Sequence, residues 1–305
     1  MQDSRAEALV EAARSGDHRS LARLVSLVEN GSPDLRPVMR AVAPHTGKAR
    51  VIGLTGSPGV GKSTVTDQLV RAYRADGQRV GVLAVDPTSP FSGGALLGDR
   101  VRMQDHATDA GVFIRSMASR GHLGGLSWSA PQALRILDAA GFDVICVETV
   151  GVGQAEVEIA GQADTTLVVM APGLGDSIQT AKAGILEIAD IFVVNKSDRP
   201  GASEVSRDLR SMLAMAKYES RWKPPIVLTA ASAGTGIDEL VERVAAHWDW
   251  LGESGLLRER RVDACDYANK DHLPKNELAF QCGWFLNRQL EVFNYLTNNT
   301  QARKK

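Results

Sequence analysis

The stretch GSPGVGKST, residues Gly56–Thr64, decides the fold of this 305-residue chain. It fits the pattern GxxxxGK[ST] at every required position, and it stands between an apolar run, VIGLT at 51–55, and a helix-length segment that begins at Lys62. A glycine-rich loop between a strand and a helix turns its backbone N–H groups towards one point, where the positive end of the helix adds its charge. We therefore predict a phosphate-binding loop here; the alternative is a structural glycine turn.

Outward from this loop, short apolar runs alternate with helix-length segments. We predict strands at 51–55, 80–85, 112–116, 143–148, 165–171, 191–195 and 225–230, and helices at 62–75, 129–140, 202–216 and 237–250. Continuous Val, Ile and Leu runs indicate strands that are buried on both faces. The alternation predicts an α/β protein, a three-layer P-loop NTPase fold with a mostly parallel, doubly wound sheet.

The chain divides into three parts by pattern. Residues 1–48 repeat apolar side chains at helical spacing, with breaks at Ser15-Gly16 and Asn30-Gly31, and we predict an N-terminal helical arm that packs over a core without doing chemistry. Residues 49–257 are the predicted P-loop domain. The remainder, 258–305, is a predicted C-terminal helical tail in which 278–296 has rough helical periodicity.

Composition excludes several classes of partner. Thirty-five Lys and Arg residues against 36 Asp and Glu leave a net charge of −1, so no global basic field attracts nucleic acid or anionic lipid. Three cysteines without a Cys-x-x-Cys pair argue against a disulfide framework and a structural zinc site. No apolar run approaches the roughly 18 residues of a membrane span, and the first twenty residues lack a signal peptide's apolar stretch. We expect a cytoplasmic protein with no membrane or nucleic-acid partner.

The loop residues are assigned individual roles. We predict that all of them bind a nucleotide cofactor or substrate: Gly56, Ser57, Pro58, Gly59, Val60, Gly61, Lys62, Ser63 and Thr64. The ammonium group of Lys62 is expected to reach the β- and γ-phosphates, and the hydroxyl of Ser63 is expected to bind Mg²⁺.

Acidic residues stand at the ends of two predicted strands. Asp86 follows the second strand and Glu148 follows the fourth, with Gly151 three residues later. A carboxylate in this place typically faces Mg²⁺ or its waters, and a glycine three residues on lets a backbone amide approach the γ-phosphate. We predict that both acids contribute to a metal site; the alternative is that they cap helices.

The sixth predicted strand runs into NKSD, residues Asn195–Asp198. A carboxylate at Asp198 accepts from the two adjacent donors of guanine, while Lys196 lies along the base and Asn195 ties neighbouring loops together. Adenine has no such donor pair, so Asp198 should select GTP over ATP. Thr229, Ala230 and Ala231 stand where GTPases commonly have Thr-Ser-Ala, so their N–H groups are expected at the guanine oxygen. The motifs predict a GTPase.

Three longer segments then resemble the MeaB/ArgK family, the GTPases associated with methylmalonyl-CoA mutase: VDPTSPFSGGALLGDRVRM, ETVGVGQAEVEIA and APGLGDSIQTAKAGILEIADIFVVNKSD. The resemblance covers roughly residues 1–257. It implies a dimeric chaperone that binds the cobalamin-dependent mutase, gates delivery of adenosylcobalamin and protects the enzyme. Older names for relatives, such as transport-system kinase or ATPase, conflict with the guanine-reading NKSD motif.

The resemblance also implies roles for individual residues. Asp99 looks like a first-switch acid that approaches the metal, 148–154 would be the second switch, and 173–182 looks like an additional switch with Asp176, Gln179 and Lys182 as polar contacts. A glycine-rich turn capped by Asp176 is the plain alternative for this last segment. The predicted catalytic residues are Lys62, Asp99, Glu148, Gly151 and Lys182, and the predicted metal ligands are Ser63, Asp86, Asp99 and Glu148.

Two features depart from the expected patterns. Val152 occupies the position where many small GTPases have a glutamine that orients water, and Gln154 is two residues away, so intrinsic hydrolysis should be slow. We expect a partner to complete the site by reordering the switches, with Arg100, Arg102 or Lys182 as candidates. The tail from about residue 263 lacks the charged helical character expected of the family's dimerisation arm; it is either a helix on a partner subunit or a divergent tail.

Two other functions remain open from the residues. A metal-delivery GTPase would need a His-rich or Cys-containing tract, whereas the six histidines are scattered. A small-molecule kinase, such as the transport-associated kinase of older names, would need an acceptor pocket with a catalytic base, for which Asp86 is available. Tight GDP binding with negligible ADP binding would exclude most kinases.

Overall fold

A computed structural model describes residues 3–86, 103–106, 108–118, 129–149, 159, 161–173, 185–215 and 222–269. The predicted helical stretch at 278–296 lies outside these ranges. The chain folds into two compact units, one of residues 1–49, 128–143 and 252–305, and one of 50–127 and 144–251. The three-part division at residues 48 and 257 stays a prediction.

The helices and strands alternate along the chain as follows. The helices are α1 (Asp3–Arg14), α2 (His18–Glu29), α3 (Leu35–Val42), α4 (Lys62–Ala75), α5 (Ala130–Ala139), α6 (Ile185–Ile188), α7 (Ala202–Met215), α8 (Ile237–Ser254) and α9 (Leu256–Asn269). The strands are β1 (Arg50–Thr55), β2 (Val80–Asp86), β3 (Val112–Ala118), β4 (Val144–Thr149), β5 (Thr165–Met170), β6 (Ile191–Asn195) and β7 (Ile226–Thr229). Short 3₁₀ turns lie at Ala43–His45, Gln104–His106 and Ala231–Ala233.

The seven strands form one parallel sheet in the order β3-β2-β4-β1-β5-β6-β7. All seven predicted strands are present, and the four predicted helices, three between strands and one after the last strand, begin within one residue of the expected positions. The predicted α/β fold with a parallel, doubly wound sheet is therefore confirmed. Strand β4 lies between β2 and β1 in the sheet. The fourth strand of the chain is therefore a direct neighbour of the first.

Both faces of the sheet are covered by apolar side chains, as the continuous apolar runs predicted. On β5, Leu167 and Val169 belong to a cluster that includes side chains of α4 and α8. The alternate residues Val168 and Met170 belong to a second cluster with α7. Because successive side chains of a strand point to opposite faces, this division shows helices on both sides of the sheet.

The other unit contains α1, α2, α3, α5 and α9. Helix α2 begins after Asp17, whose carboxylate accepts hydrogen bonds from the N–H groups of Arg19 and Ser20 and so caps the helix. Buried apolar side chains of α1, α2 and α3 recur at the predicted helical spacing. None of the helices in the described ranges is both long and apolar enough to cross a membrane.

Candidate functional site

The candidate site lies where the parallel strands end. Strands that run in the same direction bring their carboxyl ends to one edge of the sheet, and ligands bind beside that edge in doubly wound folds. The register places Leu54 of β1 beside Glu148 of β4, and Asn195 of β6 beside Thr229 of β7. The loop at 56–61 leaves the same edge and leads into α4.

The loop requires glycine because its backbone adopts left-handed angles close to the sheet. Gly56 has φ +135°, and a Cβ atom built on it would lie 2.1 Å from the carbonyl oxygen of Val169. Gly61, with φ +96°, is the N-cap residue of α4, so the helix begins at Lys62. Any larger residue at Gly56 would push the loop away from β5.

Lys62 turns its side chain back over the loop. Its Nζ donates to the carbonyl oxygen of Gly56 at 2.7 Å and lies 3.2 Å from that of Ser57, and the residue is buried. The ammonium group is thus held directly above the loop, at the positive end of α4. An anion bound in the loop would meet both the ammonium group and the N–H groups of the first helical turn.

Below the loop, two hydroxyl groups of α4 approach one carboxylate of β4. Ser63 Oγ donates to Glu148 Oε1 at 2.7 Å, and both residues are buried. Thr66 Oγ1 lies 3.4 Å from Glu148 Oε2 and 3.1 Å from the carbonyl oxygen of Lys62. The structure therefore brings two predicted metal ligands, Ser63 and Glu148, into direct contact.

Cys146 lies beneath Glu148 on the same face of β4, because the two residues are two positions apart. Burial raises the pKa of the Cys146 thiol to about 12, and the negative charge of Glu148 acts in the same direction. Cys146 therefore stays a neutral thiol near neutral pH and adds no negative charge to the site.

Asn195 connects two loops that are far apart in the chain. Its Nδ2 donates to the carbonyl oxygen of Val60 at 2.9 Å. Its Oδ1 accepts from the N–H group of Ala231 at 3.1 Å and from the hydroxyl of Thr229 at 3.2 Å. One buried amide thus joins the loop at 56–61 to the turn that follows β7, using both its donor and its acceptor.

The two residues after Asn195 extend this junction. Lys196 has φ +58°, a left-handed conformation that is uncommon for a residue with a side chain, and its Nζ donates to the carbonyl oxygen of Gly59 at 2.6 Å. The next N–H group, of Ser197, donates to the carbonyl oxygen of Thr229. Asp198 is exposed beside them.

Several predicted site residues fall outside the described part of the chain. Asp99, Gly151, Val152, Gln154 and Lys182 are not among the described residues. Asp86 ends β2, where it pairs with Ala118, but its side chain is not described. Arg100, Arg102, Asp176 and Gln179 also lie outside. The roles of these residues stay predictions.

Sequence reasoning missed Thr66, whose hydroxyl approaches the second oxygen of Glu148. The signal was present: Thr66 follows Ser63 by three positions on a helix, and residues at that spacing share one face. The pattern GxxxxGK[ST] ends at Ser63, three residues before Thr66, so motif matching alone gives this threonine no role.

Comparison with known proteins shows that most of the chain matches one protein family. The profile of the family described as methylmalonyl Co-A mutase-associated GTPase MeaB matches residues 21–279. A relative from Pyrococcus horikoshii is 54% identical over 256 residues, which are 83% of this chain and 81% of the relative. The mitochondrial methylmalonic aciduria type A homolog of Caenorhabditis elegans is 31% identical over 280 residues, 86% of this chain and 70% of that protein.

A solved structure shares the fold over nearly the whole chain. The crystal structure of an LAO/AO transport system kinase superposes with a TM-score of 0.73 at 26% identity, covering 99% of both chains. The likeness supports the P-loop NTPase architecture that the sheet order and the glycine loop already display.

Proposed function

Since this chain belongs to the MeaB family of methylmalonyl-CoA mutase-associated GTPases, we propose that it is a GTP-hydrolysing chaperone of a cobalamin-dependent methylmalonyl-CoA mutase. Its switch segments would couple the state of the nucleotide to the delivery of adenosylcobalamin and to protection of the mutase. The observation that carries the nucleotide assignment is the Asn195 junction, which joins the phosphate loop to the turn at 229–231.

The guanine assignment rests on Asp198 and its surroundings. The carboxylate of Asp198 is proposed to accept from N1–H and the 2-amino group of guanine, while Lys196 lies along the ring. The N–H groups of residues 229–231 are proposed to approach the guanine oxygen. Asn195 supports this arrangement because it holds the turn at Ala231 and the loop at Val60 at fixed distances from one another.

The phosphate assignment rests on Lys62 and the loop glycines. We propose that phosphate oxygens replace the carbonyl oxygens of Gly56 and Ser57 as acceptors for Lys62 Nζ. The positive end of α4 and the loop N–H groups would share the negative charge of the phosphates. Since phosphoryl transfer depends mainly on positioning and charge stabilisation, these groups act on the transition state without a covalent step.

Ser63 and Glu148 fit a magnesium site. Both present buried oxygen atoms at one point, 2.7 Å apart, and hydroxyl and carboxylate oxygens are ligands that Mg²⁺ accepts. Together with Asp86 and Asp99, they would hold the ion beside the β- and γ-phosphates. When bound, Mg²⁺ neutralises charge on the phosphate oxygens. Glu148 contributes its position on a central strand of the sheet, where the backbone is held on both sides.

Hydrolysis is proposed to be slow until the mutase binds. Val152 stands where many GTPases have the glutamine that orients water, so part of the machinery is expected from the reordered switches, with Gly151 and Lys182 among the residues brought into place.

We also propose that the protein is a homodimer and that it works in the cytoplasm. The family resemblance supports the homodimer. The three cysteines, which form no Cys-x-x-Cys pair, support a reducing compartment such as the cytoplasm.

One experiment tests both the selection of guanine by Asp198 and the effect of the mutase on hydrolysis. Asp198→Asn exchanges acceptor for donor at the base edge, so we expect this variant to prefer xanthosine nucleotides, whose C2 oxygen accepts where the guanine amino group donates. Hydrolysis by wild type and by the variant is measured with GTP and with XTP, each with and without saturating mutase. We expect the mutase to accelerate each enzyme with its own nucleotide only.

Asp208→Asn is the matched control, because Asp208 is an exposed aspartate on α7 that belongs to none of the nucleotide-binding motifs. This control should keep the preference for GTP. Unchanged GTP affinity in Asp198→Asn would contradict the base assignment. Equal hydrolysis by wild type with and without mutase would contradict the chaperone assignment and leave the GTPase assignment intact.

A further inference from the structure

Thr66 carries a hydroxyl group that the proposed function leaves without a role. Its exposed fraction is 0%, and it lies on α4 one turn after Ser63, on the face of the helix that approaches β4. The functional motif ends before it, and no step of nucleotide binding requires it. A fully buried hydroxyl must nevertheless find a partner, since leaving it unpaired is costly.

Two acceptors compete for its single proton. Thr66 Oγ1 lies 3.1 Å from the carbonyl oxygen of Lys62, four residues earlier, and 3.4 Å from Glu148 Oε2. Both distances exceed the roughly 2.7–2.8 Å of a full O–H···O hydrogen bond. The hydroxyl is therefore shared between the helix backbone and the carboxylate, as in other three-centre hydrogen bonds.

The contact completes the placement of Glu148. The last torsion of a glutamate side chain has a broad energy profile, so a second hydroxyl at the other carboxylate oxygen narrows the range of orientations of the group. Ser63 holds Oε1 at 2.7 Å, and Thr66 approaches Oε2 from the next turn of the same helix. Two hydroxyls at fixed spacing on one helix define the plane of the carboxylate.

We propose that Thr66 is a positioning residue for Mg²⁺ binding, which holds Glu148 through Oε2 so that Oε1 stays directed at Ser63. The carbonyl oxygen of Lys62, which is the nearer of the two acceptors, keeps the Thr66 hydroxyl paired when the carboxylate shifts. This inference rests on the proposed function, which assigns Ser63 and Glu148 to the metal.

The test compares nucleotide release with and without the metal. A fluorescent GDP is loaded on the full-length protein, and its release rate is measured in excess MgCl₂ and in EDTA. The ratio of the EDTA rate to the MgCl₂ rate reports how strongly Mg²⁺ holds the nucleotide. In Thr66→Val, which removes the hydroxyl at nearly constant volume, we expect the ratio to fall roughly two- to tenfold, the size of one modest hydrogen bond, while the EDTA rate is unchanged.

Two further variants separate positioning from damage to the helix. Thr66→Ser keeps the hydroxyl and should restore the wild-type ratio, whereas Thr66→Ala lacks it and should match Thr66→Val even though it leaves a small cavity. A wild-type ratio in Thr66→Val or Thr66→Ala would overturn the proposal. So would a release rate in EDTA that changes by the same factor as the rate in MgCl₂, because this pattern indicates a disturbed loop.

Failure of the proposed function gives a different result. If wild type releases GDP at the same rate in MgCl₂ and in EDTA, the assignment of Ser63 and Glu148 to Mg²⁺ fails, and the role of Thr66 fails with it. If wild type responds to Mg²⁺ and none of the Thr66 variants differs from it, only the role of Thr66 fails.

Discussion

Gly61 is the residue where the phosphate loop meets the Asn195 junction. Its φ of +96° lies in the left-handed region, and a Cβ atom built on it would lie 2.4 Å from Asn195 Nδ2. The same Nδ2 donates to the carbonyl oxygen of Val60 at 2.9 Å. A methyl group at this position therefore strains the backbone and also displaces the amide that joins two loops.

Gly59 is the natural control at the scale of a single residue. It too is left-handed, with φ +81°, but a Cβ atom there would meet nothing within 4 Å. We predict that both Gly→Ala variants lose about 1–2 kcal/mol of unfolding free energy from backbone strain, and that Gly61→Ala loses roughly 1–3 kcal/mol more from the displaced amide. Urea unfolding without nucleotide, followed by tryptophan fluorescence, measures the difference.

A double-mutant cycle with Asn195→Ala tests whether the collision with the amide causes the extra loss in Gly61→Ala. In an Asn195→Ala background the colliding amide is gone, so Gly61→Ala should cost only what Gly59→Ala costs in wild type. If Gly61→Ala and Gly59→Ala are equally destabilising in the wild-type background, the steric role assigned to Gly61 is wrong.

At the scale of the element, helix α4 anchors the segment that leads into β3. Arg74 forms a two-pronged ion pair with Asp109, at 2.8 and 2.9 Å, and also donates to the carbonyl oxygen of Gln78. Gly111 lies against the guanidinium group, where a Cβ atom would come within 2.3 Å of Arg74 Cζ. One turn earlier, Arg71 reaches Asp105 through a more exposed pair.

We predict a measurable coupling between Arg74 and Asp109. In a double-mutant cycle with Arg74→Met and Asp109→Asn, the coupling free energy should be about 0.5–1.5 kcal/mol, since the pair is two-pronged and partly buried. The same cycle for Arg71 and Asp105, whose side chains are 45% and 73% exposed, should give near zero to about 0.5 kcal/mol. Equal couplings in the two cycles would contradict the assigned importance of the two-pronged geometry.

The pH dependence of this coupling has a definite sign. The Arg74 guanidinium, helped by the N–H group of Gly111, lowers the pKa of the Asp109 carboxyl. A lowered pKa means stabilisation that is fully present above the ordinary aspartate pKa of about 3.9 and is lost as the pH falls below it. We therefore expect the same coupling at pH 7 and pH 5.

The sequence predicts the individual strands and helices, but it does not predict which of them become neighbours in the fold. The runs that became β1 to β7 were recognisable because a strand buried on both faces needs a continuous apolar stretch, and α4 was recognisable because its loop is a chemical motif. The position of β4 between β2 and β1 has no local signature. For the same reason the contact of Thr66 with Glu148, 82 residues away, became visible only in the folded chain.

At the scale of the whole molecule, two distant parts of the chain meet on residues 47–49. The carboxylate of Asp138, on α5, accepts from the backbone N–H groups of Gly47, Lys48 and Ala49. Arg261, on α9, donates to the carbonyl oxygens of Gly47 and Ala49 at 3.0 and 2.8 Å. These residues directly precede β1 in the chain, and α5 and α9 together hold them in place.

We predict that Arg261→Met lowers the unfolding free energy by about 1–3 kcal/mol, because it leaves two carbonyl oxygens without their charged donor in a buried place. Arg258→Met is the matched control, since Arg258 is an exposed arginine on the same helix and should change stability by less than about 0.5 kcal/mol. Asp138→Asn should also destabilise, and the double variant with Arg261→Met should lose less than the sum of the two, because both side chains bind Gly47 and Ala49. Urea unfolding curves of the four variants measure these differences.

Two outcomes would contradict this account. Strict additivity of the two losses would show that Asp138 and Arg261 act independently. An Arg261→Met variant as stable as Arg258→Met would show that α9 does not support residues 47–49.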